Sequence, residues 1–409
     1  MDGVPPFDEY EHAPITAHAR PFKMRVPSNF LPWDNRRGLI AIRRRDRQLA
    51  VCRCGVVLAG IYFQFETATQ TQLPVALKVM DRGQVQLQRD DVDNEVRMMA
   101  QLQSGGLDAP LNNPYVVKWE YGEDTYNLYL ATEFVANGSL ISYAHKKIRH
   151  LLVKHLKDFT DKNGQEPTKL ECVSYVYRGA GHEWMRESIH FFSCIIQGLT
   201  YMHAQNIAHM DLDVYNVAID KNFVPRIIDF GSSQLMDHRG YAGAGDVGIK
   251  CKPTYVAPEV RQNGMMAPPR PGFDGRKADL WSVGVLLTEL SMQLVQCVVW
   301  GFRGGPAYLM TCSNWRQEVF DHIDMKCEQE HCFICANLVS IPPLIGVIIK
   351  ELLQLDPKRR PSAYKVAVAL AENRPEALYQ VSLPPSQLKQ QQQQQRLLAS
   401  HRHPPASIG

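Results

Sequence analysis

Short apolar runs in the first third of the chain have the pattern of β-strands. Residues 56–63 and 74–80 are rich in Val, Leu, Ile and aromatic side chains, and each run is predicted to form a strand. Two further strands are predicted over 115–121 and 126–134. Between these pairs, apolar residues at helical spacing predict a helix over 90–102, whose apolar positions are Val92, Val96, Met99 and Leu102.

The rest of the chain has a mainly helical pattern. Residues 187–203 form a strongly helical run. Residues 146–184 begin as a basic amphipathic stretch and continue as a polar one, which predicts an inserted helix and a loop. The long apolar run over 280–302 contains Glu289, so it is predicted to be a buried helix and not a membrane span.

The two ends of the chain differ from this pattern. Residues 1–37 contain several prolines and no sustained period, so they are predicted to be an extension that is partly disordered or packed loosely on the first domain. Phe30 and Trp33 could dock as a short anchor, with disorder as the alternative. Residues 373–409, which include the run Gln390–Gln395, are predicted to be a disordered tail. The tail and the 146–184 insert are candidate partner-binding segments.

Composition narrows the class of protein. The chain has 409 residues, 45% of them apolar, and a formal charge of +3, which favours neither nucleic acid nor an acidic membrane as a partner. Ten cysteines without a regular spacing indicate reduced thiols, and the N-terminus has no signal-peptide pattern. We therefore expect a soluble cytoplasmic protein. One group of residues has a spacing that could hold zinc: Cys327, His331, Cys332 and Cys335. Because the group lacks a second well-spaced pair of ligands, we expect buried thiols there, with metal binding as the alternative.

The candidate chemistry lies in a short polar stretch that follows the helical run 187–203. Asp211 and Asn216 are five residues apart, and Asp229 opens an Asp-Phe-Gly triplet thirteen residues later. Phosphoryl transfer uses this spacing, because one carboxylate receives a hydroxyl proton while the Asn and the second Asp hold Mg²⁺.

These residues resemble the catalytic loop and metal-binding triplet of eukaryotic protein kinases. Five further family positions occur in the expected order, namely Lys78, Glu95, Glu259, Asp279 and Arg360. The resemblance spans residues 39–370. It implies an α+β, bilobal protein-kinase fold, with a small β-rich lobe carrying one helix over 38–135 and a larger helical lobe over 136–372.

The resemblance also implies ATP and Mg²⁺ and a role for each matching residue. Asp211 would accept the substrate proton, Lys78 would hold the α- and β-phosphates, and Glu95 would fix Lys78. Asn216 and Asp229 would hold the metal. Asp279 would brace the catalytic loop, and Arg360 would pair with Glu259. The remaining nucleotide contacts implied are Gly55, Val57, Ala76, Thr132, Glu133, Val135 and Ala218.

The phosphate-covering loop departs from the family pattern. Of its three glycines only Gly55 is present, with Ala50 and Cys52 at the other two positions. Side chains at these positions hinder close approach of the backbone to phosphates. We therefore expect weaker ATP affinity.

Two departures fall in the catalytic loop. Met210 replaces an arginine that couples the family's active site to a phosphorylated activation loop, which suggests another mode of control. Asp213 replaces a lysine, and two carboxylates about 5 Å apart repel by on the order of 3 kcal/mol at an effective dielectric near 20. Our hypothesis is a swap in which Lys252 supplies the missing positive charge. The alternative is that Lys252 faces solvent.

The resemblance implies an ATP-dependent kinase that phosphorylates Ser or Thr in protein substrates, without nucleic-acid or membrane partners. The alternative is a pseudokinase that acts as a scaffold, supported by the glycine loop, Met210 and Asp213. The presence of every metal-binding and proton-handling residue opposes that alternative.

Overall fold

The structure is a computed structural model that describes most of the two predicted lobes. The described residues are 7–12, 22–27, 30–33, 38–42, 48–64, 72–88, 91–102, 113–245, 252–299, 315–324 and 341–379. The candidate zinc ligands and the Gln390–Gln395 run lie outside them.

The first lobe is built on an antiparallel sheet. Its strands and the preceding hairpin are, in chain order, β1 Phe7–His12, β2 Phe22–Pro27, β3 Phe30–Trp33, β4 Gly38–Ile42, β5 Gln48–Cys52, β6 Gly55–Gln64, β7 Gln72–Asp81, β8 Trp119–Glu123 and β9 Asn127–Glu133. β1 and β2 pair only with each other among the described strands. The other seven form one sheet in the order β3-β4-β6-β7-β9-β8, and β5 pairs with the first half of β6.

Strand alternation divides this sheet between a core and a cleft, because successive side chains of a strand point to opposite faces. One set is buried in an apolar cluster: Val56, Val75, Leu77, Val79 and Ala131. The intervening set is only partly buried: Val57, Ala76, Lys78 and Thr132.

The structure differs from the predicted boundary after residue 37, because β3 belongs to the sheet. Phe30–Trp33 pairs with β4 along its whole length. Trp33 is buried, and its ring packs edge-on against Tyr129 with 6.4 Å between the ring centroids. The stretch around Phe30 and Trp33 was predicted either to dock as an anchor or to be disordered, and in the structure it docks on the sheet. Burial of one indole against the sheet offsets the low apolar content of the segment.

Two helices and a corrected strand complete the lobe. α1 (Arg82–Gln88) and α2 (Val92–Leu102) follow β7. The strand predicted over 115–121 was wrong at its start, since β8 begins at Trp119. Val116 instead forms a parallel bridge with Ile227, and the Val117 amide donates to the Ile227 carbonyl at 3.2 Å. A β-branched run predicts extended backbone but does not identify the partner strand.

The second lobe is mainly helical. Its helices are α3 Leu140–Asn163, α4 Lys169–Glu171, α5 Arg178–Ala204, α6 Pro258–Met265, α7 Gly275–Val299, α8 Trp315–Ile323, α9 Pro343–Leu352 and α10 Ala363–Glu372. A π-helical stretch and two 3₁₀ turns occupy Cys172–Tyr177, Pro357–Arg359 and Pro375–Leu378. Its short strands are β10 Ile207–Ala208, β11 Val217–Ile219, β12 Pro225–Ile227, β13 Gln234–Leu235, β14 Tyr241–Gly245 and β15 Arg270–Asp274.

Residues 278–292 of α7 are buried, in agreement with the predicted buried helix. Leu280, Leu286 and Leu290 have no exposed surface. In the described part of the chain, no helix combines the length and apolar content needed to cross a membrane.

The 146–184 segment, predicted to be an inserted helix and a loop, forms the outer part of two long helices. α3 continues through it to Asn163, where Gly164 ends the helix in the left-handed conformation, φ 71°. The chain returns through the π-helical stretch into α5, which begins nine residues before the predicted helix. The Glu183 carboxylate joins the two helices by accepting from Lys154 at 2.8 Å. Buried apolar residues of α3 lie on both sides of residue 146, from Leu140 to Phe159, so the predicted segment begins inside one continuous helix.

Candidate active site

The predicted lysine–glutamate pair is formed on the cleft side of the first lobe. Lys78 lies on β7 and Glu95 on the first turn of α2, with 2.9 Å between Nζ and Oε2. Burial alone lowers the pKa of Lys78, but the carboxylates of Glu95 and Asp229 more than reverse this and raise it. Lys78 is therefore a fixed cation that faces the cleft.

The predicted nucleotide contacts lie along the same face of the sheet. Val57 is the register partner of Lys78, and Ala76 is that of Thr132. Thr132 Oγ1 donates to the Ala76 carbonyl at 3.4 Å. Val135 lies in the connection between the lobes. These side chains form one wall of the cleft.

The opposite wall and the connection contribute two more of the predicted contacts. Ala218 is a buried residue of β11, and it forms a bridge with Ser139 where the chain enters the second lobe. The Glu133 carboxylate accepts from the Lys118 amide at 3.1 Å and lies 3.9 Å from the Arg226 guanidinium. Because the Glu133 carboxylate is occupied by these two partners, Glu133 would contact the nucleotide base through its backbone.

The β5–β6 hairpin occupies the position of the phosphate-covering loop. Its turn is Arg53–Cys54, and the buried Cys54 accepts a hydrogen bond through its carbonyl from the Asp81 amide at 2.9 Å. A Cβ at Gly55 would lie 1.8 Å from the Val79 carbonyl oxygen. Packing against β7 therefore requires glycine at this position. Burial raises the pKa of the Cys52 thiol, opposed by the nearby Lys78.

The catalytic loop is held by the buried carboxylate of Asp279. It accepts from the backbone amides of His209 and Met210, both at 2.8 Å, and from His203 Nε2 at 2.9 Å. Met210 adopts φ 69°, a left-handed conformation that is uncommon for a non-glycine residue. The structure confirms that Asp279 braces this loop.

Asp211 and Asn216 are in direct contact. The side-chain Nδ2 of Asn216 donates to the backbone carbonyl of Asp211 at 2.7 Å and to the Asp211 carboxylate Oδ2 at 3.0 Å. These bonds fix the orientation of the amide and leave its carbonyl oxygen as the atom that a cation could bind. Burial raises the pKa of Asp211; Lys252 opposes this effect and Asp213 adds to it.

Asp229 is directed into the cleft by a left-handed backbone conformation, φ 62°. The following Phe230 is buried against His209, with 5.4 Å between the ring centroids, and anchors the triplet. The Asp229 carboxylate is exposed and close enough to Lys78 to raise the pKa of that lysine. Together with the Asn216 carbonyl oxygen it offers the hard oxygen ligands that Mg²⁺ prefers.

The negative charge of the Asp213 carboxylate is compensated by backbone amides and by Lys252. Its Oδ1 accepts from the amides of Tyr215 and Asn216 at 2.7 and 2.8 Å, and its Oδ2 contacts Lys252 Nζ. Lys252 Nζ also lies 3.8 Å from Asp211 Oδ2. Lys252 is therefore ion-paired and not simply directed to solvent.

The segment after the Asp-Phe-Gly triplet is held in part by hydrogen bonds that do not involve position 210. β14 pairs with β15, and the buried Asn263 donates to the Gly243 carbonyl at 3.0 Å while accepting from the Gly272 amide at 3.1 Å. Met210 lies beside Val256 at a small apolar cavity. Another mode of control, which the missing arginine suggested, stays a prediction.

Two residues that matter for the site were not identified from the sequence. The Tyr215 ring lies 5.4 Å from Lys252 Nζ, and the buried Glu289 carboxylate accepts from the hydroxyl of Tyr255. A signal existed for Glu289, since a lone carboxylate within a strongly apolar helix requires a buried partner. No sequence pattern near Tyr215 indicated a role for this residue in the site.

A lysine–glutamate pair above the cleft, with an Asp–Asn pair and an Asp-Phe-Gly triplet below it, defines a bilobal protein kinase core. The family model described as protein kinase domain matches residues 62–369. The chain therefore belongs to the protein kinase family. The match begins within β6, after Gly55 and Val57.

Individual relatives match parts of the chain. It is 28% identical over 216 residues to CBL-interacting protein kinase 17 of Oryza sativa subsp. japonica, covering 52% of this chain and 36% of that protein. It is 32% identical over 157 residues to serine/threonine-protein kinase SRK2A of Arabidopsis thaliana, covering 35% and 38%. It is 32% identical over 100 residues to serine/threonine-protein kinase chk1 of Schizosaccharomyces pombe, covering 24% and 18%. These matches span well under half the length of each relative.

Proposed function

We propose that this protein is an ATP-dependent kinase that transfers the γ-phosphate of ATP to serine or threonine hydroxyls of proteins. The observation that carries the proposal is the formed Lys78–Glu95 ion pair, at 2.9 Å, with the Asp229 carboxylate in the same electrostatic environment. Protein kinases need both elements in place for transfer. The Ser/Thr preference is supported by the names of the relatives.

The cleft supports nucleotide binding in a defined orientation. The apolar side chains of Val57, Ala76 and Ala218 would enclose the base, with Thr132 at the back. The backbone of residues 133–135 would supply its hydrogen bonds. Lys78, ion-paired to Glu95, would bind the α- and β-phosphates. The hairpin turn beside Gly55 would cover the phosphates.

The donor set fits the Mg²⁺ that this family usually requires. The Asn216 carbonyl oxygen and the Asp229 carboxylate would hold the metal, which when bound neutralises charge on the phosphates. Both side chains are fixed by groups of the chain itself, Asn216 by Asp211 and Asp229 by its left-handed backbone.

Asp211 would take the proton from the attacking hydroxyl. As the hydroxyl oxygen bonds to the γ-phosphorus and the bond to the β–γ bridging oxygen breaks, the hydroxyl proton passes to the Asp211 carboxylate. Burial raises the pKa of Asp211, and a raised pKa makes a carboxylate a better base. Its bond from Asn216 holds the carboxylate in place during this step.

The test is transfer of radiolabelled γ-phosphate to pools of Ser-, Thr- and Tyr-containing peptides. Wild type would be compared with Asp211→Asn and Asp229→Asn, and with Asp158→Asn as an exposed control on α3. We expect transfer to Ser or Thr in wild type and control, and loss of about 10²-fold or more in both site variants.

A second measurement separates catalysis from binding. ATP with Mg²⁺ should raise the melting temperature of wild type, because a ligand that binds only the folded state stabilises it. Absence of both transfer and the temperature shift would overturn the proposal. A shift without transfer to any pool would favour the pseudokinase alternative. The predicted protein substrate and cytoplasmic location stay predictions.

A further inference from the structure

We propose that Lys252 is the catalytic cation that contacts the phosphoryl group being transferred, and that Asp213 is the residue that positions it. Lys252 lies on the activation segment, which we define as residues 232–259. This inference rests on the proposed kinase function. In the usual arrangement the lysine is two positions after the catalytic aspartate, where this chain has Asp213.

The first observation is the location of the ammonium group. Lys252 Nζ contacts Asp213 Oδ2 and lies 3.8 Å from Asp211 Oδ2. In the part of the chain that the structure describes, it is the one ammonium or guanidinium within ion-pair distance of Asp211. Any phosphate that approaches Asp211 for in-line transfer would therefore meet this cation first.

The second observation is the state of Asp213. Its side chain is 0% exposed, and one oxygen is used by the amides of Tyr215 and Asn216. Those bonds shape the turn that presents Asn216, and they direct the other oxygen to Lys252. Asp213 is thus an anchor for the loop and the lysine, and not a second base.

The third observation is that Lys252 keeps capacity for a ligand. An ammonium has three N–H donors, of which Asp213 takes one. The Lys252 side chain is 42% exposed, and the Tyr215 ring lies 5.4 Å from its Nζ. A cation held from one side and open on the other can bind an anionic phosphate oxygen without losing its anchor.

The swap has a consequence for regulation. The Lys252 amide donates to Asp211 Oδ1 at 3.0 Å, and the Lys252 carbonyl accepts from the Tyr255 amide at 3.0 Å. The catalytic cation therefore moves with the activation segment. Order of that segment would control catalysis through Lys252, without the arginine that the family carries at position 210.

The experiment uses the full chain with ATP, Mg²⁺ and the best Ser/Thr peptide pool. Lys252→Met, Lys252→Arg and Lys252→Thr would be compared with the transplanted pair Asp213→Lys/Lys252→Thr. Lys221→Met, at an exposed lysine, is the matched control. Measured quantities are kcat, KM for ATP and the melting temperature of each variant.

We expect Lys252→Met and Lys252→Thr to lower kcat about 10²-fold, as loss of one transition-state charge contact does, with KM for ATP changed only a few-fold. Lys252→Arg should retain more activity than Lys252→Met. The transplanted pair should recover at least about tenfold over Lys252→Thr, on the same scale. A purely structural lysine would change the melting temperature and leave kcat unchanged.

Wild-type kcat in a folded Lys252→Met protein would overturn the inference while leaving the kinase function intact. If Lys252→Met does not fold, Lys252→Thr decides: a folded Lys252→Thr protein with wild-type kcat also overturns it. A wild type that neither transfers phosphate nor is stabilised by ATP would remove the proposed function, and this inference with it.

Discussion

Arg360 and Glu259, 101 residues apart in the chain, form a two-point ion pair in the second lobe. Nη1 lies 2.6 Å from Oε1 and Nη2 lies 2.9 Å from Oε2. The guanidinium also donates to the carbonyls of Gln354 and Lys277, both at 2.8 Å, and lies 5.0 Å from the Trp281 ring. The pair fixes the end of the activation segment to the helical core.

Arg360→Leu should destabilise the second lobe strongly. Removing one partner of a buried pair leaves the other charge uncompensated and costs about 3–5 kcal/mol. Arg359→Leu is the control, because Arg359 is the exposed neighbour. Urea unfolding would measure both variants, and equal midpoints would show that the pair contributes nothing.

Gly55→Ala should destabilise the first lobe and reduce the stabilisation by ATP. The new Cβ would lie 1.8 Å from the Val79 carbonyl oxygen, so the hairpin must move away from β7. Such overpacking costs about 1–3 kcal/mol. Thermal unfolding with and without ATP and Mg²⁺ would measure it.

Gly264→Ala is the matched control for Gly55→Ala. Gly264 lies in α6, and a Cβ there would have nothing within 4 Å. Alanine in a helix is favoured over glycine by about 0.5–1 kcal/mol, so this variant should be neutral or more stable. The prediction fails if both variants shift the melting temperature alike.

Asn263→Ala should loosen the activation segment. It removes the side chain that bridges Gly243 and Gly272 and leaves two backbone groups without a partner, each costing about 1–3 kcal/mol if it stays buried. We expect a lower melting temperature, faster proteolysis between β14 and α6, and lower kcat. Gln262→Ala, at the exposed neighbouring position, should change none of these.

Trp33→Ala should show that β3 is part of the first lobe. Trp33 is 4% exposed and packs on Tyr129, so its truncation should cost about 3–5 kcal/mol. Phe30, on the same strand, is 44% exposed, and Phe30→Ala should cost far less. Urea unfolding monitored by fluorescence would compare them. Equal small losses would mean that the strand does not stabilise the lobe.

The sequence by itself determined the main elements and the order of the catalytic groups. Strands over 56–63 and 74–80 and the helix over 90–102 were predictable, because strand and helix periods depend only on near neighbours. The spacing of Asp211, Asn216 and Asp229 was sufficient to predict a shared site for the same reason, since all three lie on short loops beside β11 and β12. Together with Lys78, Glu95 and Arg360 in order, it identified the fold.

Tertiary structure decided which distant groups meet. Lys252 contacts Asp213, 39 residues away, and Tyr255 contacts Glu289, 34 residues away. The path of the chain between such residues sets these contacts, and no local period encodes that path. The same reason explains why residues 115–117 pair with the second lobe and why Trp33 packs on the sheet of the first lobe. Residue types and spacing specify what each group can do; packing specifies which partner it acts with.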